Sequence, residues 1–151
     1  MSVDSDATQV LVIHGPNMNL VGKRPREIFG NLTLDKINRS LRNYAREFGV
    51  ILKIFQSNSE ADIVTKLQRQ RNWADGILLN PTTLCFTSYT LLDTLELINL
   101  PTVEIHLTET IAGKPVSDSR LKPYCREQSI GPVDGAYERG FDVLLTMLES
   151  R

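Results

Sequence analysis

Apolar positions along this chain follow two periods. Residues 9–14 (QVLVIH), 50–55 (VILKIF), 76–79 (GILL) and 102–107 (TVEIHL) are short runs rich in β-branched and aliphatic side chains. Such runs predict strands buried on both faces. Between them the spacing lengthens to three and four. Leu34, Ile37, Leu41, Tyr44 and Phe48 fall on one helical face, with Thr33 placed to cap its start and Gly49 to end it. Ile63, Val64 and Leu67 predict a second helix beginning near Ser59 and Glu60. Leu91, Leu92, Leu95 and Ile98 predict a third, and Phe141, Leu144, Leu145 and Leu148 a last.

Strand and helix alternate in this pattern, which predicts an α/β fold: a doubly wound parallel sheet with helices on both faces. Sheets of this kind bind ligands outside the carboxyl ends of their strands, where the winding changes direction. The candidate site loops are therefore residues 15–32, 56–59, 80–88 and 106–120. Loop 15–32 is long and holds Gly15, Pro16, Gly22, Pro25 and Gly30, so a hinging lid with little helix is expected there. Neither a dinucleotide fingerprint nor a P-loop follows the first strand, so the fold carries no nucleotide signal.

Composition removes further classes. A length of 151 residues predicts one domain, residues 9–151, behind a polar N-terminal tail at residues 1–8 (MSVDSDAT) expected to be disordered. That start is acidic where a signal peptide is basic and then apolar, so a cytoplasmic location is expected. The formal net charge of −1 offers no basic field for nucleic acid. No apolar stretch approaches the roughly 20 residues of a membrane span. Cys85 and Cys125 have no metal-ligand spacing, and no metal is expected from them.

The loop sequences carry the chemistry. VIHGPNMNLVGKRPREIFG resembles the opening of type II 3-dehydroquinate dehydratases, a glycine–asparagine loop followed by a lid. FQSNSEADIV, NPTTLCFTSYTLLD and PTVEIHLTE are similar to the next three strand ends of that family, and GAYERGFDVLL to the start of its last helix. The resemblance spans about residues 9–148, in order. It implies a flavodoxin-like fold, a homo-oligomer built from trimers up to a dodecamer, and a reaction without cofactor. That reaction is an anti elimination of water from 3-dehydroquinate through an enolate. A lid tyrosine lowered in pKa by an arginine is the implied base, and a histidine after the third strand the implied acid.

Carried over position by position, the resemblance implies ligand-binding roles for Asn17, Asn80 and His106, and for Leu107 and Thr108 through their backbone amides. Arg24 stands at the lid arginine, and Asp93 and Glu104 at acidic positions of the family. The implied base falls on Phe29 and the implied acid on Phe86, and neither ring can transfer a proton. The two arginines that follow the histidine align with Gly113 and Ser117. Lys114, Arg120, Tyr89 and Tyr124 are the remaining groups with proton or charge chemistry, but no spacing brings them to the reaction centre. Cys85 reads as a packing residue before it reads as a nucleophile. Two functions follow, with a purely structural oligomer subunit as a third reading. One is a pocket for a small, cyclic carboxylate ligand, made dry by Phe29 and Phe86 and lacking the standard dehydratase chemistry. The other is a working lyase that dehydrates 3-dehydroquinate to 3-dehydroshikimate, or acts on a related cyclic carboxylate, through a relocated base.

Overall fold

The computed structural model describes residues 6–150, so most of the expected tail lies outside the described residues. Its last residue, Thr8, already accepts a backbone hydrogen bond from Ile51. Five parallel strands form the sheet: β1 (Gln9–His14), β2 (Ile51–Gln56), β3 (Gly76–Asn80), β4 (Thr102–His106) and β7 (Glu127–Ile130), in the order β2-β1-β3-β4-β7. That is the flavodoxin-like order, and its winding reverses between β1 and β3.

The expected helices are present: α2 (Leu34–Glu47), α3 (Glu60–Gln70), α5 (Tyr89–Ile98) and α6 (Ala136–Glu149). Their starts are set by side-chain oxygens. Thr33 accepts from Lys36 N–H, Ser59 from Asp62 N–H and Ser88 from Leu91 N–H, each satisfying a donor the helix cannot. Gly49, at φ +66°, turns the chain out of α2 into β2. One face of the sheet is covered by α2 and α6, through Ile37, Leu41, Phe141 and Leu144. The other is covered by α3 and α5, through Ile63, Leu67, Leu91 and Leu95. The helices therefore lie on both faces, as the apolar periodicity requires.

Three expectations need correction. Strand β2 is an edge strand, and none of its residues is fully buried: Ile51 and Lys53 are exposed and the other four half-buried. Its apolar run packs against only one neighbouring strand, and Lys53 rides over the Trp73 ring at 4.3 Å. Strand β7 has the sequence EQSI, whose polar residues gave no apolar signal, and it forms the opposite edge by pairing with β4. The lid is ordered: a 3-10 segment spans Met18–Lys23 and one helical turn, α1, spans Arg26–Phe29. Buried Met18 and Val21 anchor it to the core, so its glycines and prolines bound short helical turns instead of preventing them.

At the reversal point, β1 and β3 deliver their carboxyl ends side by side. His14 is in register with Asn80, and Gly15 N–H donates to the Asn80 carbonyl at 2.8 Å. A Cβ on Gly15 would sit 2.7 Å from the Pro81 carbonyl oxygen and 2.9 Å from that of Asn80. Backbone atoms cannot yield as a flexible side chain does. Gly15→Ala is expected to destabilise the fold by about 1–3 kcal/mol, read as a lower urea midpoint at unchanged slope.

Candidate functional site

A cavity of about 200 Å³ opens at this reversal point, lined by Asn17, Arg24, Phe29, Asn80, His106, Leu107 and Thr108, among others. These residues come from four places in the chain. Asn17 follows β1 in a left-handed conformation (φ 71°), and its N–H donates to Asn58 Oδ1 at 2.9 Å, tying the first loop to the loop after β2. Arg24 and Phe29 descend from the lid, Asn80 ends β3, and His106 ends β4. A short antiparallel hairpin, β5 (Thr110–Ile111) with β6 (Lys114–Pro115), closes the far wall through Thr110, Ile111 and Ala112. Met18, Val21 and Ile28 add apolar surface. These apolar wall residues were not singled out from the sequence, because only the loop geometry turns them inward.

Polar groups beneath the cavity form a continuous chain. Asn80 Nδ2 donates to the Tyr137 hydroxyl at 3.1 Å and its Oδ1 accepts from Thr82 N–H. Tyr137 Oη lies 2.7 Å from His14 Nδ1, and His14 Nε2 lies 2.8 Å from Asn38 Oδ1. An amide oxygen can only accept, so His14 Nε2 carries the proton and Nδ1 accepts from the tyrosine. Every member is then satisfied with His14 neutral. Burial holds its pKa down at about 4, against the smaller opposing effect of the Asn38 hydrogen bond. Burial likewise pushes the Tyr137 hydroxyl up, so neither group offers a proton exchanger at neutral pH. His14 and Tyr137 were not among the expected site residues. The only signals were a polar residue closing an apolar strand and a tyrosine opening an amphipathic helix.

The second polar cluster lies at β4. Glu104 and His106 project from one face of the strand, two residues apart, and His106 Nε2 lies 2.6 Å from Glu104 Oε2 with both side chains buried. Glu104 Oε1 and Thr82 Oγ1 are buried without a hydrogen-bond partner. Cys85 sits close by. Burial and the Glu104 charge push its thiol up to about 12, which removes the nucleophilic reading.

Phe86 is not a wall of this cavity. It is half-buried in the apolar cluster on the α3 and α5 side of the sheet, on the one-turn helix α4 (Leu84–Thr87). Its carbonyl accepts from Arg120 Nε at 2.8 Å. The expectation of two aromatic rings lining one pocket is therefore corrected to one, Phe29. The imidazole that does line it is His106. Gly113 and Ser117 are likewise outside the lining, so Arg24 is the only cationic side chain among the described residues there. Lys114 is exposed, Arg120 and Tyr89 stack on each other at 5.1 Å, and Tyr124 bonds to Leu100 and Asn99. None of these four reaches the cavity.

Comparison with known proteins gives a consistent result. The profile of the family described as Dehydroquinase class II matches residues 8–148. A 3-dehydroquinate dehydratase of Nitrosomonas eutropha is 38% identical over 144 residues, 95% of this chain and 97% of that one. A 3-dehydroquinate dehydratase of Endomicrobium trichonymphae is 39% identical over 127 residues, covering 84% of this chain and 87% of its own. The crystal structure of a type II dehydroquinase from Butyrivibrio crossotus superposes with a TM-score of 0.85 at 28% identity, over 92% of this chain and 98% of that one.

The depressed pKa of His14 makes stability pH-dependent. An unfolded chain protonates this histidine near 6.5, whereas the folded protein resists until about 4. Between those values the unfolded state binds more protons, so stability is complete above 6.5 and falls as pH drops toward 4. The loss amounts to about 3 kcal/mol at most. Urea midpoints measured from pH 7 to pH 4 should fall in the parent protein and flatten over this window in His14→Asn.

Proposed function

Because the chain belongs to the class II dehydroquinase family, we propose that its strand-end cavity holds a small cyclic carboxylate and that the standard dehydratase chemistry is missing. The observation that carries this reading is the composition of the cavity wall. Among the described residues lining it, only His106 has a side chain of the acid–base type, and Arg24 is a fixed cation. Elimination through an enolate needs a base to remove a proton beside the ketone and an acid to protonate the departing hydroxyl. His106, held against Glu104, can serve one of these purposes, and by its position it takes the acid's part that the resemblance puts at Phe86. Among the described residues lining the cavity, none replaces the base. Phe29 stands at that position with a ring that cannot ionise, and Arg24 has no phenolate to stabilise.

Binding does not require the missing group. Arg24 offers a carboxylate its charge, the Leu107 and Thr108 amides offer donors, and Asn17 and Asn80 offer amides to ring hydroxyls. Met18, Val21, Ile28 and Phe29 supply the apolar surface on which a ring would rest. No metal or organic cofactor enters this reading. In the same reading the chain assembles as a trimer-based homo-oligomer, up to a dodecamer, burying some of the exposed Leu20, Ile28, Phe48, Tyr89 and Leu97. Among the described residues no helix is long and apolar enough to cross a membrane.

The alternative, a working lyase on 3-dehydroquinate or a related cyclic carboxylate, draws support from relatives named 3-dehydroquinate dehydratase at 38–39% identity and from the presence of Asn17, Arg24, Asn80 and His106. The two separate in one assay, the ultraviolet absorbance of the conjugated enone formed from 3-dehydroquinate. The parent protein should show no turnover above background at high concentration. Phe29→Tyr should raise the rate by about 10²-fold or more, the low end of what one proton-transfer group contributes. Robust parental turnover that disappears in His106→Ala would overturn the missing-base reading in favour of the lyase. Sedimentation should give a mass of three chains or a multiple of three, and a monomer would remove the oligomer from the proposal.

A further inference from the structure

We propose that Cys85, Glu104 and His106 form a binding site for one divalent transition-metal ion, zinc by preference, in the core beside the strand-end cavity, which His106 alone of the three lines. The inference does not rest on the proposed function, and a metal-bound His106 would not also serve as the acid named there. The Cys85 sulfur, a Glu104 carboxylate oxygen and a His106 ring nitrogen all lie within 4.8 Å of one another, and all three residues are buried. In a tetrahedral zinc site, bond lengths of 2.0–2.3 Å put the donors roughly 3.5 Å apart. Small rotations reach that spacing: the sulfur closes in, and the 2.6 Å contact between His106 and Glu104 opens.

An independent feature points to a cation. Glu104 is fully buried, and its Oε1 has no hydrogen-bond partner. A buried carboxylate oxygen without a donor is costly to the fold, and a thiol beside it is too weak a donor to offset that. A metal ion supplies the missing positive partner. The donor set agrees: one sulfur, one imidazole and one carboxylate suit zinc, whereas magnesium and calcium take oxygen alone. Three protein donors leave a fourth position, the arrangement of an open rather than a purely structural site. His106 lines the cavity, as does Thr82, whose hydroxyl is also buried without a partner.

Topology explains why spacing in the chain does not announce the site. Glu104 and His106 are two apart on β4 and so share a face, while Cys85 arrives 19 residues earlier from α4. Binding involves no change of oxidation state. The Cys85 thiol gives its proton to solvent as the metal–sulfur bond forms, and a water completes the fourth position.

The test uses the untagged full chain stripped by a chelator. Zinc alone is titrated calorimetrically, and cobalt(II) is added in parallel to read the ligands by spectrum. The expected result is one ion per chain, with a thiolate-to-cobalt charge-transfer band in the near ultraviolet and tetrahedral bands in the visible. Cys85→Ser should remove the charge-transfer band and weaken zinc by about 100-fold or more, whereas Cys125→Ser should retain both. Clearly less than one zinc per chain, a cobalt spectrum without the thiolate band, or loss of that band in Cys125→Ser instead of Cys85→Ser would overturn the proposal. The parental cobalt spectrum decides even where a variant fails to fold.

Discussion

The structure depends on one buried hydrogen-bonded chain, Asn80 to Tyr137 to His14 to Asn38, that joins four elements at the point where the sheet reverses its winding. Asn80 ends β3, His14 ends β1, Tyr137 opens α6 and Asn38 lies in α2. Each link pairs one donor with one acceptor, and the direction of donation is fixed from end to end. A chain satisfied this way is rigid, because breaking any link leaves a buried polar atom without a partner. The cavity floor inherits that rigidity. Asn80 cannot turn toward a ligand without giving up Tyr137, so its free capacity and position are defined before anything binds.

Around this floor, the wall separates two kinds of chemistry. Charge is concentrated at Arg24 on the lid side and at the His106–Glu104 pair on the β4 side, with apolar surface between them. In the proposed function an anionic ligand would meet Arg24 on one side and the imidazole of His106 on the other. Phe86 lies away from the cavity. Packed under the sheet with Cys85 and Leu121, it alters the core beside the site and not the site's own lining. The aromatic ring that lines the cavity is Phe29.

Much of the architecture was legible without coordinates. The apolar runs of β1, β3 and β4 and the three-and-four spacing of α2, α3, α5 and α6 report burial, and burial is what a period in the sequence records. Thr33, Ser59 and Gly49 mark boundaries because capping is a local event that needs only the neighbouring backbone. Strand β7 left no such trace, since an edge strand with polar residues is held by its hydrogen bonds to β4 rather than by apolar burial. The lid's short turns were hidden for a related reason: Met18 and Val21 draw them to the core, and a four-residue turn has too few positions to show a period.

The sequence by itself determined the winding of the sheet, the loops that reach its carboxyl edge, and the family to which the pattern of those loops belongs. It also determined that Phe29 offers no proton, since that is a property of the residue alone. Only the tertiary structure decided which loop residues turn into the cavity, that His106 enters it while Phe86 does not, and that Cys85 meets Glu104 and His106. Those outcomes rest on side-chain direction and on contacts between distant segments. Neither is encoded in local spacing, because a strand fixes its faces only relative to the partners it packs against.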